Sequence, residues 1–409
     1  MDADAVRELF AGLRVHAFGG VFHVPARDTY PALFAWDSAY HALALAPLDP
    51  RLAAAELRTL FASNRLPDGL LAHERSLPTA EARERQAYFT DRLGPLWGDG
   101  DRSFLIDPPA PVFAAARVAP GLADQGVAVL DAIDAQRAVG MGPGGVGRES
   151  SVPVILHPLE SGTDASPLYA GLLPGGPGLA WHERVRIVSV EAARHGWSAR
   201  AALDGDHPFV VADPTMLGWY VLAREATGGV DRARAVAAWA MDHLWDGDCF
   251  VGWDAVAGRP LAVPTAAAAL LASCDSVPLH VAERFVDRWL TPGSGFWGPC
   301  GISFNPLDPD LRLDDGHELW AGNDVWGAAM YWAHLTLRRV GAEGLAGRVV
   351  DQLDALVDRH GFREYYDAFT GEPGGAGADG GFSWPALGYA MRADLRGPPA
   401  SGLQPEPEV

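Results

Sequence analysis

AAAELRTLF, residues 53–61, places Ala53, Leu57, Leu60 and Phe61 at i, i+4, i+7 and i+8, the spacing of one apolar face on an α-helix. The same periodicity returns in Val236, Trp239, Ala240 and His243, and in Val349, Val350, Leu353 and Leu356 within 346–357. Ala-rich segments of similar character cover about 2–14, 37–47, 121–139, 213–226, 264–274, 279–290, 322–340 and 383–393, so eleven or so helices are predicted. Alternation suited to strands is confined to two short stretches, RVRIVSV (184–190) and VPVIL (152–156). The predicted class is mainly α.

The predicted helices are joined by loops rich in Gly, Pro, Trp and Asp, such as LWDGDCFVGWD, GSGFWGPCGISFNP and EYYDAFTGEPGG. No strict repeat period links them, which argues against a regular superhelix and leaves a toroid of helical pairs with irregular loops. One closed catalytic domain is expected over 1–395, followed by a Pro-rich polar tail, 396–409, expected to be disordered. Chemistry in such a scaffold belongs on the loops, held by the rigid frame.

With 52 acidic against 32 basic side chains, the net charge of −20 repels phosphate backbones and anionic lipid. No nucleic acid or membrane partner is expected; a small neutral or cationic molecule is, and oligomeric state is left open. The longest apolar run, LAVPTAAAALLASC (261–274), contains a Pro and falls well short of the ~20 residues that span a bilayer. Cys249, Cys274 and Cys300 cannot all pair and show no CxxC spacing, which suits a reducing, cytoplasmic compartment without a thiolate metal site. The opening MDADAVRELF has no basic end followed by an apolar run, so no export signal is read there.

Three motifs that could carry other chemistry do not hold. GMGPGG (140–145) lacks a preceding strand and is broken by Pro143, so it reads as a surface loop and not a nucleotide cradle. DDGHE (314–318) has no second His at i+4, so it reads as a solvated acidic loop. No GxSxG elbow is present to present a Ser nucleophile. Neither a metal nor an organic cofactor is expected.

What remains is carboxylates beside aromatic rings, in FAWDSAYHAL (34–43), HPLESGTDASP (157–167), LWAGNDVW (319–326) and FREYYDAFTGEPGGAGADGGFSW (362–384). A neutral sugar asks for this mixture: its apolar faces stack on flat rings and its hydroxyls need fixed acceptors. Cleaving a glycosidic bond takes two carboxyl groups in different protonation states, one to protonate the departing oxygen and one to activate water or attack the sugar. The acid needs burial or a neighbouring like charge to keep its proton near neutral pH. An Asp among Ser, Gly and Pro most often caps a turn. In HPLESGTDASP, however, Glu160 stands four positions from Asp164 and is a candidate for that neighbouring charge.

The order AWDSAYHALALAPLDP, Glu56-Leu57 with Leu60-Phe61, DPPAPVFAAA, HPLESGTDASP, VADPTMLGWYVLA, LWAGNDVW, EYYDAFTGE and FSW resembles glycoside hydrolase family 63, whose smaller bacterial members include glucosylglycerate and mannosylglycerate hydrolases. The likeness runs from about residue 20 to 392, with ESGxDxSP and EYxxxxTGE its more specific motifs. It implies an (α/α)6 toroid that hydrolyses α-glucosides or α-mannosides with inversion. It implies Asp164 as general acid and Glu364 as general base, 364 − 164 = 200 positions apart. Trp36 and Asp37 would hold the sugar in the innermost subsite, Trp320 and Trp326 would line it, and Phe382 and Trp384 would close it. Asp107, Glu160 and Tyr365 complete the implied substrate-binding set. Carboxyl groups about 6.5–9.5 Å apart would leave room for the attacking water.

The chain departs from the family where the leaving group is expected. Ala321 stands in place of an Arg, Asp107 replaces a Gln before PP, and ESGTDASPLY lacks an Asn and an indole. The lost Arg argues against an anionic aglycone such as glycerate, and a second acid in the pocket would favour a polyol or an amine. A diverged toroid that binds a sugar without cleaving it, or that acts on a non-sugar biosynthetic intermediate with the same acid and base, is the alternative. An epimerase or lyase would need a His, Lys or Tyr base; the motif loops offer His41 and His157, and His41 is expected to face the core.

Overall fold

The protein is described by a computed structural model that covers residues 1–98, 100–140, 151–176, 178–307, 320, 322–378 and 380–397. Most of GMGPGG, all of DDGHE and the tail beyond 397 lie outside the described residues.

Among the described residues there are fifteen α-helices. They are α1 (Ala3–Leu13), α2 (Ala35–Leu45), α3 (Pro50–Ser63), α4 (Ala80–Leu93), α5 (Ala110–Val118), α6 (Ala123–Gln136), α7 (Trp181–Arg194) and α8 (Ala199–Asp204). The second half adds α9 (Pro214–Ala226), α10 (Val230–His243), α11 (Ala268–Ala272), α12 (Leu279–Trp289), α13 (Gly327–Arg339), α14 (Glu343–His360) and α15 (Leu387–Leu395). Two layers are set by which helices are apolar all round and which on one stripe only. Every residue of α2 and of α11 is buried, as is α9 from Pro214 to Arg224, so these must be enclosed. By contrast α12 buries Val281, Ala282, Phe285, Val286 and Trp289 and turns its charges outward.

The enclosed helices form a closed ring. α2 packs on α5, α5 on α9, α9 on α11, α11 on α13, α13 on α15, and α15 returns to α2. Outside it, α3 covers α2, α6 covers α5, α10 covers α9, α12 bridges α11 and α13, and α14 backs α13 and α15. The sixth outer helix is α1: Phe10 lies edge-on to His41 of α2, and the Met1 amine binds Asp354 of α14 at 2.6 Å. This is the expected (α/α)6 toroid.

The seam between α15 and α2 is held by polar contacts as well as packing. The Trp384 indole N–H donates to Asp37 Oδ1 at 2.7 Å, and His41 Nε2 meets Ser383 Oγ at 2.8 Å. Glu56 of α3 holds His23 Nδ1 at 2.6 Å and His41 Nδ1 at 3.1 Å, all three side chains buried. His41 therefore faces the core, as expected.

Several boundaries differ from the sequence reading. RVRIVSV is part of α7 and not a strand: Val185, Val188, Ser189 and Ala192 form the buried face, while Ile187 and Val190 point to solvent, so a helical period is concealed by a run that also alternates. The segment at 322–340 begins with a strand, Asp324–Trp326, before α13; the one at 264–274 is helical only at Ala268–Ala272. VPVIL is extended, with Ser151–Pro153 paired to Ala138–Gly140 and Ile155 bridged to Val211. Helices α4, α5, α7 and α8 have no counterpart among the predicted ones. Two short antiparallel sheets matter to the site: Ala32–Phe34 with Glu74–Ser76, and Asp324–Trp326 with Tyr365–Asp367, which also pairs with Pro373–Gly374.

Burial alone pushes the Glu56 carboxyl up, but the two imidazoles outweigh it and bring its pKa to about 2. The stability that Glu56 gains from these contacts is thus complete above the unfolded carboxylate range near pH 4.3 and is lost as pH falls toward 2. Glu56→Gln should lower unfolding free energy at pH 7 by about 3 kcal/mol, since it removes the buried charge and turns one of the two acceptor oxygens into an amide donor that faces an imidazole. Urea denaturation checks this, and the deficit should shrink as the wild-type protein is acidified.

Candidate active site

A cavity of about 270 Å³ opens at one end of the ring, and both Asp164 and Glu364 line it. Each is placed by its own loop. Asp164 sits on the turn after His157, whose Gly162 has φ +72° and lies so close to Trp36 that a Cβ there would come within 2.6 Å of the indole. Only glycine lets that turn rest on the ring. Glu364 leads into the strand Tyr365–Asp367 and is clasped from both sides. Tyr30 O–H donates to its Oε1 at 2.8 Å and the Ala376 N–H to its Oε2 at 2.6 Å. Gly375, at φ +69°, would put a Cβ 2.4 Å from that same Oε2, so the glycine-rich hairpin is shaped around the carboxylate.

The floor is aromatic. Trp36 meets Trp384 edge-on at 5.5 Å, Trp320 stacks on Trp326 at 4.0 Å and lies parallel to Trp332 at 6.0 Å, and Phe382 abuts Trp384 at 5.2 Å. Trp320 adopts φ 70°, a left-handed conformation that a bulky side chain takes only when its surroundings impose it.

Of the residues singled out in the sequence, Trp36, Asp37, Asp164, Trp320, Trp326, Glu364, Phe382 and Trp384 line the cavity. Three do not. Asp107 stands one layer back, accepting from the Trp36 backbone N–H at 2.9 Å, where it caps the N-terminus of α2, and from His73 Nδ1 at 2.6 Å. Tyr365 packs behind Trp326 with ring centres 5.0 Å apart. Glu160 is turned away altogether: it is fully buried, paired with Arg137 at 2.8 Å and bonded to the Leu156 and Ile106 N–H groups. It is therefore not the charge beside Asp164; it anchors the turn from below. Tyr30, His73, Glu74, Arg85 and Trp181 line the cavity without having been named from the sequence. Tyr30 sits outside every motif quoted above, so only the folded contact to Glu364 reveals it.

Burial, more than any single neighbour, sets the electrostatics. It pushes Asp164 up to about 7, with His73 opposing and Asp107 and Glu364 reinforcing. Asp37 is pushed up to about 8 by burial, against the Trp384 hydrogen bond and with help from Asp107. Glu364 is raised by burial too, while the Ala376 and Tyr30 donors favour its ionised form. His73 would lose its proton on burial, but Asp107 outweighs that and holds it at about 9. The site thus has two carboxyls, Asp37 and Asp164, able to keep a proton near neutrality and, facing the same cavity, a third, Glu364, with two donors that favour its charged form, a set from which the acid and base of glycoside hydrolysis can be drawn.

His23, His41 and Glu56 also lie close enough to share a metal ion, their ligand atoms within 4.8 Å of one another. Both Nδ1 atoms are already committed to Glu56 and His41 Nε2 to Ser383, so the trio works as a structural pin.

A six-hairpin ring closed around buried carboxyls and a tryptophan floor is the architecture of a glycosidase acting on a small glycoside, and the family matched by the chain makes it an inverting α-glycosidase. The family profile of the mannosylglycerate hydrolase MGH1-like glycoside hydrolase domain matches residues 30–385, and the chain belongs to that family, within glycoside hydrolase family 63. It is 28% identical to a mannosylglycerate hydrolase of Thermus thermophilus, over 90% of this chain and 95% of that one. It is 27% identical to the mannosylglycerate hydrolase of Rubrobacter radiotolerans, over 90% and 92%. In structure it is similar to a mannosylglycerate hydrolase from another strain of Thermus thermophilus, solved with glucose, with a TM-score of 0.74 at 24% identity, covering 95% of this chain and 99% of the other.

The raised carboxyls oppose folding once ionised. With folded pKa values near 8 and 7 for Asp37 and Asp164, above an unfolded value near 3.9, the relative stability they confer is complete below about pH 4 and is lost as pH rises through 7 and 8. Asp37→Asn, which keeps an acceptor for Trp384, should therefore melt a few degrees higher than wild type at pH 8.5, with the gap closing toward pH 4. Thermal scans across pH measure it; a lower melting temperature at pH 8.5 contradicts the shift.

Proposed function

We propose that the protein hydrolyses a small α-mannoside or α-glucoside, with Asp164 as the general acid and Glu364 as the base that activates water. The observation carrying this reading is that two carboxyls 200 positions apart in sequence face one cavity, neither of them tied up in an ion pair with Arg or Lys among the described contacts. Asp164, holding its proton to about pH 7, delivers it to the oxygen of the leaving group as the glycosidic bond breaks. Glu364 takes a proton from water on the opposite face of the sugar, and Tyr30 and the Ala376 N–H fix its two oxygens for that approach. Asp37, steadied by Trp384, accepts or donates to sugar hydroxyls, and the indoles of Trp36, Trp320 and Trp326 take up the apolar ring faces. A neutral sugar fits a cavity already lined by Asp37, Glu74, Asp164 and Glu364, and the cavity's size suits a monosaccharide glycoside and not a polymer.

Mannosylglycerate, the substrate in the relatives' names, is the first compound to test. A cytoplasmic setting agrees with three unpaired cysteines, two of them buried.

Asp164→Asn and Glu364→Gln should each lower kcat by roughly 10³-fold while leaving the circular dichroism spectrum unchanged. NMR of the wild-type reaction should show the β-anomer of the sugar before mutarotation. For wild type, kcat/KM should fall as pH rises past about 7, when Asp164 loses its proton. Near-normal turnover by either variant would remove the role assigned to it.

A further inference from the structure

Three segments fix the ring of His73 in the cavity wall. Its backbone N–H donates to the Leu105 carbonyl at 2.7 Å, its own carbonyl accepts from the N–H of Ala35, the first residue of α2, at 2.8 Å, and Phe34 lies edge-on to the imidazole at 5.4 Å. On the inner side, Nδ1 meets Asp107 Oδ1 at 2.6 Å. The Asp107 side chain is 2% exposed and stands behind the lining, whereas the imidazole is 18% exposed and belongs to it. The pair is therefore turned with its positive end to the cavity, and among the described residues His73 Nε2 has no hydrogen-bond partner.

That charge is felt by the proton donor. Burial favours the neutral form of Asp164; of its neighbours, His73 acts most strongly toward the charged form, and outweighs Asp107, which acts the other way from farther back. His73 also favours the ionised forms of Asp37 and Glu160, while Glu74 and Asp164 help Asp107 to hold its proton. Tyr30, Arg85 and Glu364 complete the charged and titratable lining among the described residues, with Arg85 paired to Glu74 at 3.0 Å. When the glycosidic C–O bond breaks, its electron pair stays on the departing oxygen, which takes the Asp164 proton; water adds to the sugar carbon and gives a proton to Glu364. Negative charge thus appears on Asp164 during cleavage, in a site where burial opposes it. A cation fixed in place beforehand lowers that barrier without reorganising.

We infer that the Asp107–His73 couple is the electrostatic partner of the proton donor: His73, held as an imidazolium, offsets the charge that Asp164 acquires as its proton leaves, and exchanges no proton itself. This rests on the reading of Asp164 as general acid. His73 is then a positioning residue, and its effect should depend on how much the leaving group needs a proton. The test sets mannosylglycerate and the methyl α-mannoside and α-glucoside beside α-mannosyl and α-glucosyl fluoride, whose fluoride departs as an anion with little need of one. His73→Gln removes the charge and keeps a donor for Asp107. On the oxygen-linked substrates it should lower kcat at the pH optimum by roughly threefold to tenfold and move the alkaline limb of kcat/KM up by about one pH unit; on the fluorides kcat should change by less than about twofold. His73→Lys, which restores a cation, should bring the limb back toward wild type. If His73→Gln does not fold, Asp107→Asn reads the same couple: the buried imidazole loses its counter-charge and its proton, so the limb again moves up and the oxygen-linked substrates are again slowed more than the fluorides. Asp164→Asn is the control, and should lose the oxygen-linked substrates while keeping the fluorides. Equal loss of both classes in Asp164→Asn, or cleavage of no oxygen-linked substrate by wild type, overturns the acid assignment and this inference with it. With that control as expected, an unmoved limb in His73→Gln, or equal slowing of fluorides and glycosides, overturns the role of His73 alone.

Discussion

The closure of the ring between α15 and α2 is the constraint on which everything else in this molecule rests. Residues 347 positions apart, Asp37 and Trp384, share a buried hydrogen bond at that seam, and it joins an acid of the site to one of its indoles. One residue before Trp384, Ser383 is bonded to His41, one turn beyond Asp37 on the same helix, and His41 is held by Glu56 from the outer layer. The seam therefore fixes the fold and the sugar floor with one set of contacts. A shift of α15 would displace Phe382 and Trp384 from the cavity and leave Asp37 without its donor. Precision of this sort comes from side chains locked by a supporting layer, and here that layer is Glu56, His23 and His41.

Placing acids in such an enclosure is unfavourable to folding and useful to catalysis for the same reason. Burial penalises the ionised form of Asp164, Asp37 and Glu364 alike. In the roles proposed for them, residue identity would not distinguish acid from base; the local donors would. Glu364 has two donors aimed at its oxygens, whereas Asp164 has His73 acting at longer range and two acids acting against it. Asymmetric hydrogen bonding within a uniformly dry site is the feature that the proposed division of roles relies on. The strained Trp320 backbone follows the same logic: a conformation unfavourable by itself is retained where three stacked indoles fix the floor.

The legible part of the sequence was whatever one short segment determines. Helices with a single apolar stripe, such as 50–63 and 343–360, were readable because their period is local. The motif loops were readable because carboxylates beside indoles are uncommon in a mere core, and most of the residues that the family resemblance then implied within them reach the cavity. Contacts between segments were not readable. Glu160 and Asp164 lie four positions apart, yet a 3-10 turn ending at Glu160 and the left-handed Gly162 send them to opposite sides of the loop. Nothing in ESGTD alone says which of the two finds Arg137. Tyr30 and His73 were invisible for the same reason, since their partners Glu364 and Asp107 are remote in sequence. The strand reading of 184–190 failed on a genuine ambiguity, as Val185 and Val188 satisfy a helix while Val185, Ile187 and Ser189 satisfy a strand.

Glu160 also shows how a carboxylate outside a cavity can still determine what happens in it. Its pairing with Arg137 and with the Leu156 and Ile106 N–H groups ties together three segments, the end of α6, the extended stretch leading to His157 and the stretch that precedes Asp107. Asp107 in turn caps α2 at Trp36 and orients His73 toward the cavity. A continuous run of buried charge and hydrogen bonds thus passes beneath the floor from Arg137 to His73, with each cation matched by its own acid. Because that matching is complete below the floor, the unpaired acids are left to the cavity, where a sugar's hydroxyls and a transferred proton can use them.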